Sequence, residues 1–172
     1  MDKKEEKFLS IIDRHKGIIY KVANAYCKED IDREDLIQEI IIQLWSSLDN
    51  YNEQFKLSTW IYRIALNTSI SYYRKNKNRK ENTIAFSPVL EIKNPAEPDR
   101  FEDEDFQQLK HFIQELKEID KAIFLLYLDG FKYKDIAAIM AVSATNVATK
   151  ISRIKISLKE KFKKYKKSHY GI

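Results

Sequence analysis

An all-α fold of two small helical domains is what this 172-residue sequence predicts, and three observations predict it. Apolar residues recur every three to four positions in both halves of the chain, the spacing of amphipathic helices. No segment alternates polar and apolar residues in the manner of a strand. All three prolines (Pro88, Pro95 and Pro98) fall in one central stretch where the helical period fails.

The first half carries three helical patterns. Phe8, Ile11, Ile12, Ile18, Ile19, Val22, Ala23 and Tyr26 mark the first. The second is expected to open after Asp32 as N-cap, with Leu36, Ile37, Ile40, Ile41, Leu44 and Leu48 as its apolar face. A polar and aromatic loop follows over 49–56. Ser58 is the expected cap of a third helix through Trp60, Ile61, Ile64, Ala65, Thr68 and Tyr72, which ends in the basic run Arg74 to Lys80. Residues 1–80 thus form a first domain. Residues 81–105 combine proline with Glu91, Glu97, Asp99, Glu102, Asp103, Glu104 and Asp105. Charge and proline with little apolar content mark an acidic, flexible linker.

Residues 106–172 form the second domain. Phe106, Leu109, Ile113 and Leu116 share one helix, and Asp120 is the expected cap of the next. Gly130 stands where a helix-terminating glycine belongs. A short helix over 133–140, a turn at Ala141 and Val142, and a long helix opened by Ser143 complete the chain. Short helix, tight turn and capped second helix make a helix-turn-helix. Ile136, Ala137 and Ile139 would face Val147 and Ile151, leaving Ala144, Thr145, Asn146, Ala148, Thr149 and Lys150 outward near the start of the second helix. Small hydrogen-bonding side chains there suit base edges in a major groove, and Arg153 and the later lysines suit phosphates.

Composition narrows the function classes. Net charge is +5, which favours a polyanionic partner. The lone cysteine, Cys27, rules out an internal disulfide and a cysteine-based zinc site. The charged start and the lack of a long apolar run imply a cytoplasmic protein. Three scattered histidines (His15, His111 and His169) and three glycines offer no metal-ligand spacing and no phosphate-cradling loop. No enzymatic activity, cofactor, metal or small-molecule substrate is expected.

Two further stretches carry chemistry. In DLIQEIIIQLW, Asp35, Gln38, Glu39 and Gln43 lie off the isoleucine stripe, a polar row suited to docking a basic partner surface. In STWIYRIALNTSISYYRK, Trp60, Arg63, Asn67, Tyr73, Arg74 and Lys75 mix aromatic, amide and basic groups. That mixture suits unstacked bases and phosphates, although Trp60 fits a core position equally well.

DLIQE, STWIYRIALN, the acidic linker and DIAAIMAVSATNVATKISR, in that order, resemble the extracytoplasmic-function (ECF) class of sigma-70 family RNA polymerase sigma factors over nearly the whole chain. The resemblance implies that Asp35, Gln38 and Glu39 contact the clamp of core RNA polymerase. It assigns Trp60, Arg63, Asn67, Tyr73, Arg74 and Lys75, with the 49–56 loop, to the promoter −10 element and its melting. Ser143, Thr145, Asn146, Thr149, Lys150 and Arg153 fall to the −35 duplex. The linker would thread polymerase channels, and an anti-sigma factor is an implied partner.

The chain departs from the family pattern in three places. Trp60 is followed by Ile61, where primary sigma factors tend to have two adjacent tryptophans, so a single melting wedge is expected. Ala141 stands where a turn glycine is common, which disfavours a left-handed residue there. Asp135 or Lys134 stands at a frequent glutamate position. The competing reading is a dimeric helix-turn-helix regulator, which needs a self-complementary apolar face. None is evident, so the free chain is expected to be a monomer.

Overall fold

The computed structural model describes residues 2–82 and 104–171, and the side chains of 78–82 and Tyr170 lie outside the description. The described residues hold seven α-helices and one 3-10 turn, with no strand among them: α1 (Lys3–Tyr26), α2 (Asp30–Ser47), α3 (Leu57–Asn82), α4 (Glu104–Gln114), α5 (Glu118–Leu128), α6 (Tyr133–Met140) and α7 (Ala144–Tyr170); the 3-10 turn, Leu48–Asn50, takes the first two residues of the loop expected over 49–56. Of the expected linker, residues 83–103 lie outside the described residues; Glu81 and Asn82 end α3, and Glu104 and Asp105 form the first turn of α4. Acidic side chains favour that first turn because they face the positive end of the helix dipole.

Helices α1, α2 and α3 form a three-helix bundle. Leu36, Ile40, Leu44 and Leu48, spaced four apart, are buried in it, and they meet Phe8, Ile11, Ile19 and Val22 of α1 and Ile61, Ala65 and Leu66 of α3. Helices α4 to α7 form the second group. There Phe112, Ile113, Phe124, Ile154 and Leu158 build one small core. Ile136, Ala137, Ile139, Val147 and Ile151 close the α6–α7 corner. That second set and the first bundle belong to one continuous apolar cluster, so the two halves are packed against each other.

Several helices start earlier than their polar markers suggest. Helix α2 begins at Asp30 with Glu29 as N-cap, not after Asp32. Asp30 is held by an ion pair with Arg33, and Arg33 N donates to Glu29 O at 3.0 Å, so the first turn closes ahead of Asp32. Ser58 lies inside the first turn of α3, which opens at Leu57. Asp120 is likewise inside α5, whose N-cap is Lys117. The other boundaries agree with expectation. Gly130 has φ 81° and donates to Tyr127 O at 3.0 Å. Helix α6 spans Tyr133–Met140, and Ser143 Oγ accepts from Asn146 N at 3.1 Å.

Ala141 corrects one expectation. It adopts φ 54°, ψ 44°, the left-handed conformation that its side chain disfavours. The turn holds because Val142 N donates to Ala137 O at 3.0 Å and Ile136, Ile139, Val147 and Ile151 are buried at the corner.

Candidate nucleic-acid interface

Helix α3 presents one long polar stripe. Trp60, Arg63, Asn67 and Arg74 follow at i, i+3, i+7 and i+14, so they share a face. Arg63, Asn67 and Arg74 are exposed, whereas Ile61, Tyr62, Ala65 and Leu66 point into the core. The stripe from Trp60 to Arg74 is roughly 21 Å long at 1.5 Å per residue. Tyr73 and Lys75 are exposed beside it. Trp60 is half-buried and packs on Tyr51 with ring centroids 5.1 Å apart. It therefore touches the core while keeping one part accessible. Ile61 is fully buried, so that position offers nothing to a melting surface. The 49–56 loop is drawn in by Tyr51, whose hydroxyl donates to Phe55 O at 2.8 Å.

The start of the stripe borders a cavity of about 920 Å³ between the halves. Arg14, Lys56, Arg63 and Lys132 give its wall a positive character, beside His15 and Trp60. Burial, with Arg14 next to it, lowers the His15 pKa below the usual imidazole value.

The helix-turn-helix places Thr145, Asn146 and Thr149 on the exposed face of α7, with Arg153 one turn on. Thr149 Oγ1 donates to Thr145 O at 2.9 Å. Ser143 acts as the cap. Lys150 is held differently: its Nζ lies 2.5 Å from Asp120 Oδ1 on α5, and both side chains are partly buried.

On α2, Asp35 and Gln38 are exposed and Glu39 is half-buried, accepting from Gln43 Nε2 at 3.0 Å. Sequence reasoning missed their apolar companions. Ile31, 77% exposed, and Ile42 lie on the same face at i−4 and i+7 from Asp35. Trp45 continues the row and meets Phe8 edge-on at 5.0 Å. The signal was present in the spacing, but Ile31 and Ile42 are of the same type as the core stripe. Also missed was Lys121, a charged residue 2% exposed.

Among the described residues no group of three or more His, Cys, Asp or Glu could hold a metal ion. His111 pairs with Glu115 at 3.1 Å. No described helix is long and apolar enough to cross a membrane.

Comparison with known proteins agrees with this layout. Residues 11–79 match the family model for sigma-70 region 2, and residues 106–158 match sigma-70 region 4. The chain is 30% identical over 168 residues to the ECF RNA polymerase sigma-E factor of Escherichia coli (strain K12), covering 91% of this chain and 87% of that one. It is 28% identical over 169 residues to the ECF RNA polymerase sigma factor SigW of Bacillus subtilis (strain 168), with 92% and 90% covered. The same fold occurs in the sigma factor RpoE, solved in complex with the anti-sigma factor NepR from Bartonella quintana. That match has TM-score 0.68, 22% identity, and 92% and 96% of the two chains covered. CnrH, solved with the cytosolic domain of CnrY, matches with TM-score 0.65 and 18% identity over 92% of this chain and 89% of that one. With both sigma-70 modules present in order and relatives matching along almost its whole length, the chain belongs to the ECF class of sigma-70 family RNA polymerase sigma factors.

Proposed function

We propose a division of labour among the three faces. Asp35, Gln38 and Glu39, flanked by Ile31 and Ile42, dock the clamp of core RNA polymerase: the carboxylates meet basic groups while the isoleucines lose water. Residues 1–80 carry that contact together with −10 recognition by Trp60, Arg63, Asn67, Tyr73, Arg74 and Lys75. Residues 106–172 read the −35 duplex through Thr145, Asn146, Thr149 and Arg153, with Ser143 and Lys150 holding the reading helix in place. Residues 81–105 connect the two modules.

The observation that carries this reading is the exposed stripe on α3. Its residues combine a half-buried indole, an amide and two guanidiniums on one rigid face. A base leaving the duplex costs a few kcal/mol in lost stacking; a ring and hydrogen-bonding groups offset that cost. The chain acts without catalysis of its own, without cofactor or small-molecule substrate, in the cytoplasm and as a monomer when free. A protein inhibitor of the anti-sigma kind belongs to this reading, by analogy with the solved relatives. Asp35→Ala with Glu39→Ala tests the clamp assignment: capture by core polymerase should weaken while circular dichroism stays unchanged. Unchanged capture removes the assignment.

A further inference from the structure

We infer that the cavity of about 920 Å³ between the halves binds a nucleoside polyphosphate, as a regulatory ligand that is not turned over.

Both halves supply its walls, Arg14 from α1, Arg63 from α3, and Lys132 and Asp135 from the second group. Bonds across the boundary hold those walls in register. The Tyr26 hydroxyl donates to Glu118 O at 2.6 Å, Gln114 Nε2 donates to Asn24 O at 3.1 Å, and Lys21 Nζ pairs with Asp129 Oδ1 at 2.5 Å. The volume falls in the range of small-molecule sites, about 300–1,000 Å³.

Three observations select the ligand. First, the positive charge is not matched from within. Lys21 is taken up by Asp129, but Arg14, Lys56, Arg63 and Lys132 line the cavity with no ion-pair partner among the described residues. The His15 imidazole beside them is driven toward its neutral form by burial and by the Arg14 charge. Cations gathered without a counter-charge draw an anion, and two guanidiniums suit phosphate oxygens, which they bind in pairs. Second, α3 opens on the cavity. Leu57 is its first residue, and Ser58 and Thr59 line the wall. The unpaired amides of a first turn, with the positive end of the helix dipole, favour a phosphate there. Third, the walls are aromatic as well as basic. Phe55, 55% exposed, and Trp60 line one side and Phe131 the other. Such rings stack on any base. Asp135, from the same half as Phe131, offers a carboxylate to a base amino group or a ribose hydroxyl. That carboxylate would repel a continuous run of phosphates, which favours a free nucleotide over a nucleic-acid strand.

Arg63 belongs both to this wall and to the proposed −10 stripe. A bound nucleotide and the promoter strand therefore exclude each other at that residue. Binding of the nucleotide itself does not depend on the −10 assignment.

The test uses the full chain, ATP as the probe and titration calorimetry as the readout. ATP should bind more tightly than AMP, which lacks the outer phosphates, and than inorganic tripolyphosphate, which lacks the base. Arg14→Gln with Lys132→Gln, both outside the proposed DNA and polymerase faces, should weaken ATP binding roughly tenfold or more. Lys3→Gln with Lys117→Gln removes the same charge from exposed positions away from the cavity and should leave ATP binding unchanged. Circular dichroism checks that both variants fold. Arg14→Lys, a milder change that keeps the charge and loses the planar fork, should give a smaller loss. No ATP binding at millimolar concentration overturns the site. Equal weakening in the two double variants overturns it as well, because net charge alone would then explain the binding. Tripolyphosphate bound as tightly as ATP overturns the nucleotide. A single-stranded oligonucleotide of −10 type, titrated in parallel, should keep its affinity in Arg14→Gln with Lys132→Gln; an equal fall for oligonucleotide and ATP assigns the cavity to DNA instead. Asn67 does not line the cavity, so Asn67→Ala reports on the −10 assignment separately: it should lower oligonucleotide binding and spare ATP.

Discussion

Lys150 Nζ lies 2.5 Å from Asp120 Oδ1, tying the reading helix α7 to α5. A lysine that its position in the motif assigns to DNA is thus engaged inside the protein, while Asn146 and Thr149 remain exposed. Asn146→Ala should therefore change which −35 sequence is selected from a randomised duplex pool, by about 1–3 kcal/mol at the affected base pair. Lys150→Ala should leave the selected sequence unchanged and lower thermal stability, by about 0.2–1 kcal/mol for a partly exposed pair. A shifted base preference in Lys150→Ala would mean that Lys150 abandons Asp120 to read DNA.

Trp60 packs on Tyr51 and retains an accessible part. Trp60→Ala should cost about 1.5–2.5 kcal/mol of stability, near half the value for truncating a fully buried aromatic. It should also slow opening of the −10 region, seen as lower permanganate reactivity of its thymines. A pre-melted template should restore much of the transcription lost in Trp60→Ala and less of that lost in Asn67→Ala, because reading is still required. Equal rescue of both assigns Trp60 to packing alone.

Burial pushes the Lys121 pKa down to about 8, helped by the nearby Lys28 charge and opposed by Cys27 and Glu118. The unfolded chain keeps a lysine value near 10.5, so between about pH 8 and 10 it binds a proton that the folded chain has released. Stability should rise with pH across that window. Above it, Tyr26 acts in the opposite sense, since burial raises its pKa and the folded state needs its hydroxyl protonated. The rise is read by urea unfolding at pH 8 and 9.5. Lys121→Met, which keeps the apolar stem and removes the charge, should flatten it; an equal slope in both proteins would assign the effect to other groups.

Ala141 at φ 54° holds a conformation that costs a side chain about 1–2 kcal/mol and glycine almost nothing. Ala141→Gly should stabilise the chain by about 0.5–1 kcal/mol after the extra freedom of glycine in the unfolded state is subtracted. Thermal unfolding measures it, and a fall in stability would mean that the alanine methyl packs usefully in the turn.

What was legible in the sequence was local. The α6 boundaries, the Ser143 cap and the Gly130 stop each depend on a few adjacent residues. The starts of α2, α3 and α5 lie ahead of their polar markers: Asp32 and Asp120 look like caps but sit inside first turns, where acids are favoured by the helix dipole, and Ser58 sits in the first turn of α3. The actual caps, Glu29 and Lys117, make no side-chain capping bond and leave no compositional mark. The stripe of Trp60, Arg63, Asn67 and Arg74 followed from helical spacing. The attachment of Arg74 to Glu118, 44 positions away, and of Lys21 to Asp129, 108 away, has no periodicity to announce it.

Two of the bonds between the halves end on main-chain carbonyls, those of Glu118 and Asn24. Such acceptors survive any replacement of the side chain that follows them. Among diverging relatives, Tyr26 and Gln114 would then be held by selection while positions 24 and 118 drift as far as these bonds are concerned. A survey of paired substitutions would find no partner for either donor. Contacts of this kind stay hidden from covariation, however many sequences are compared.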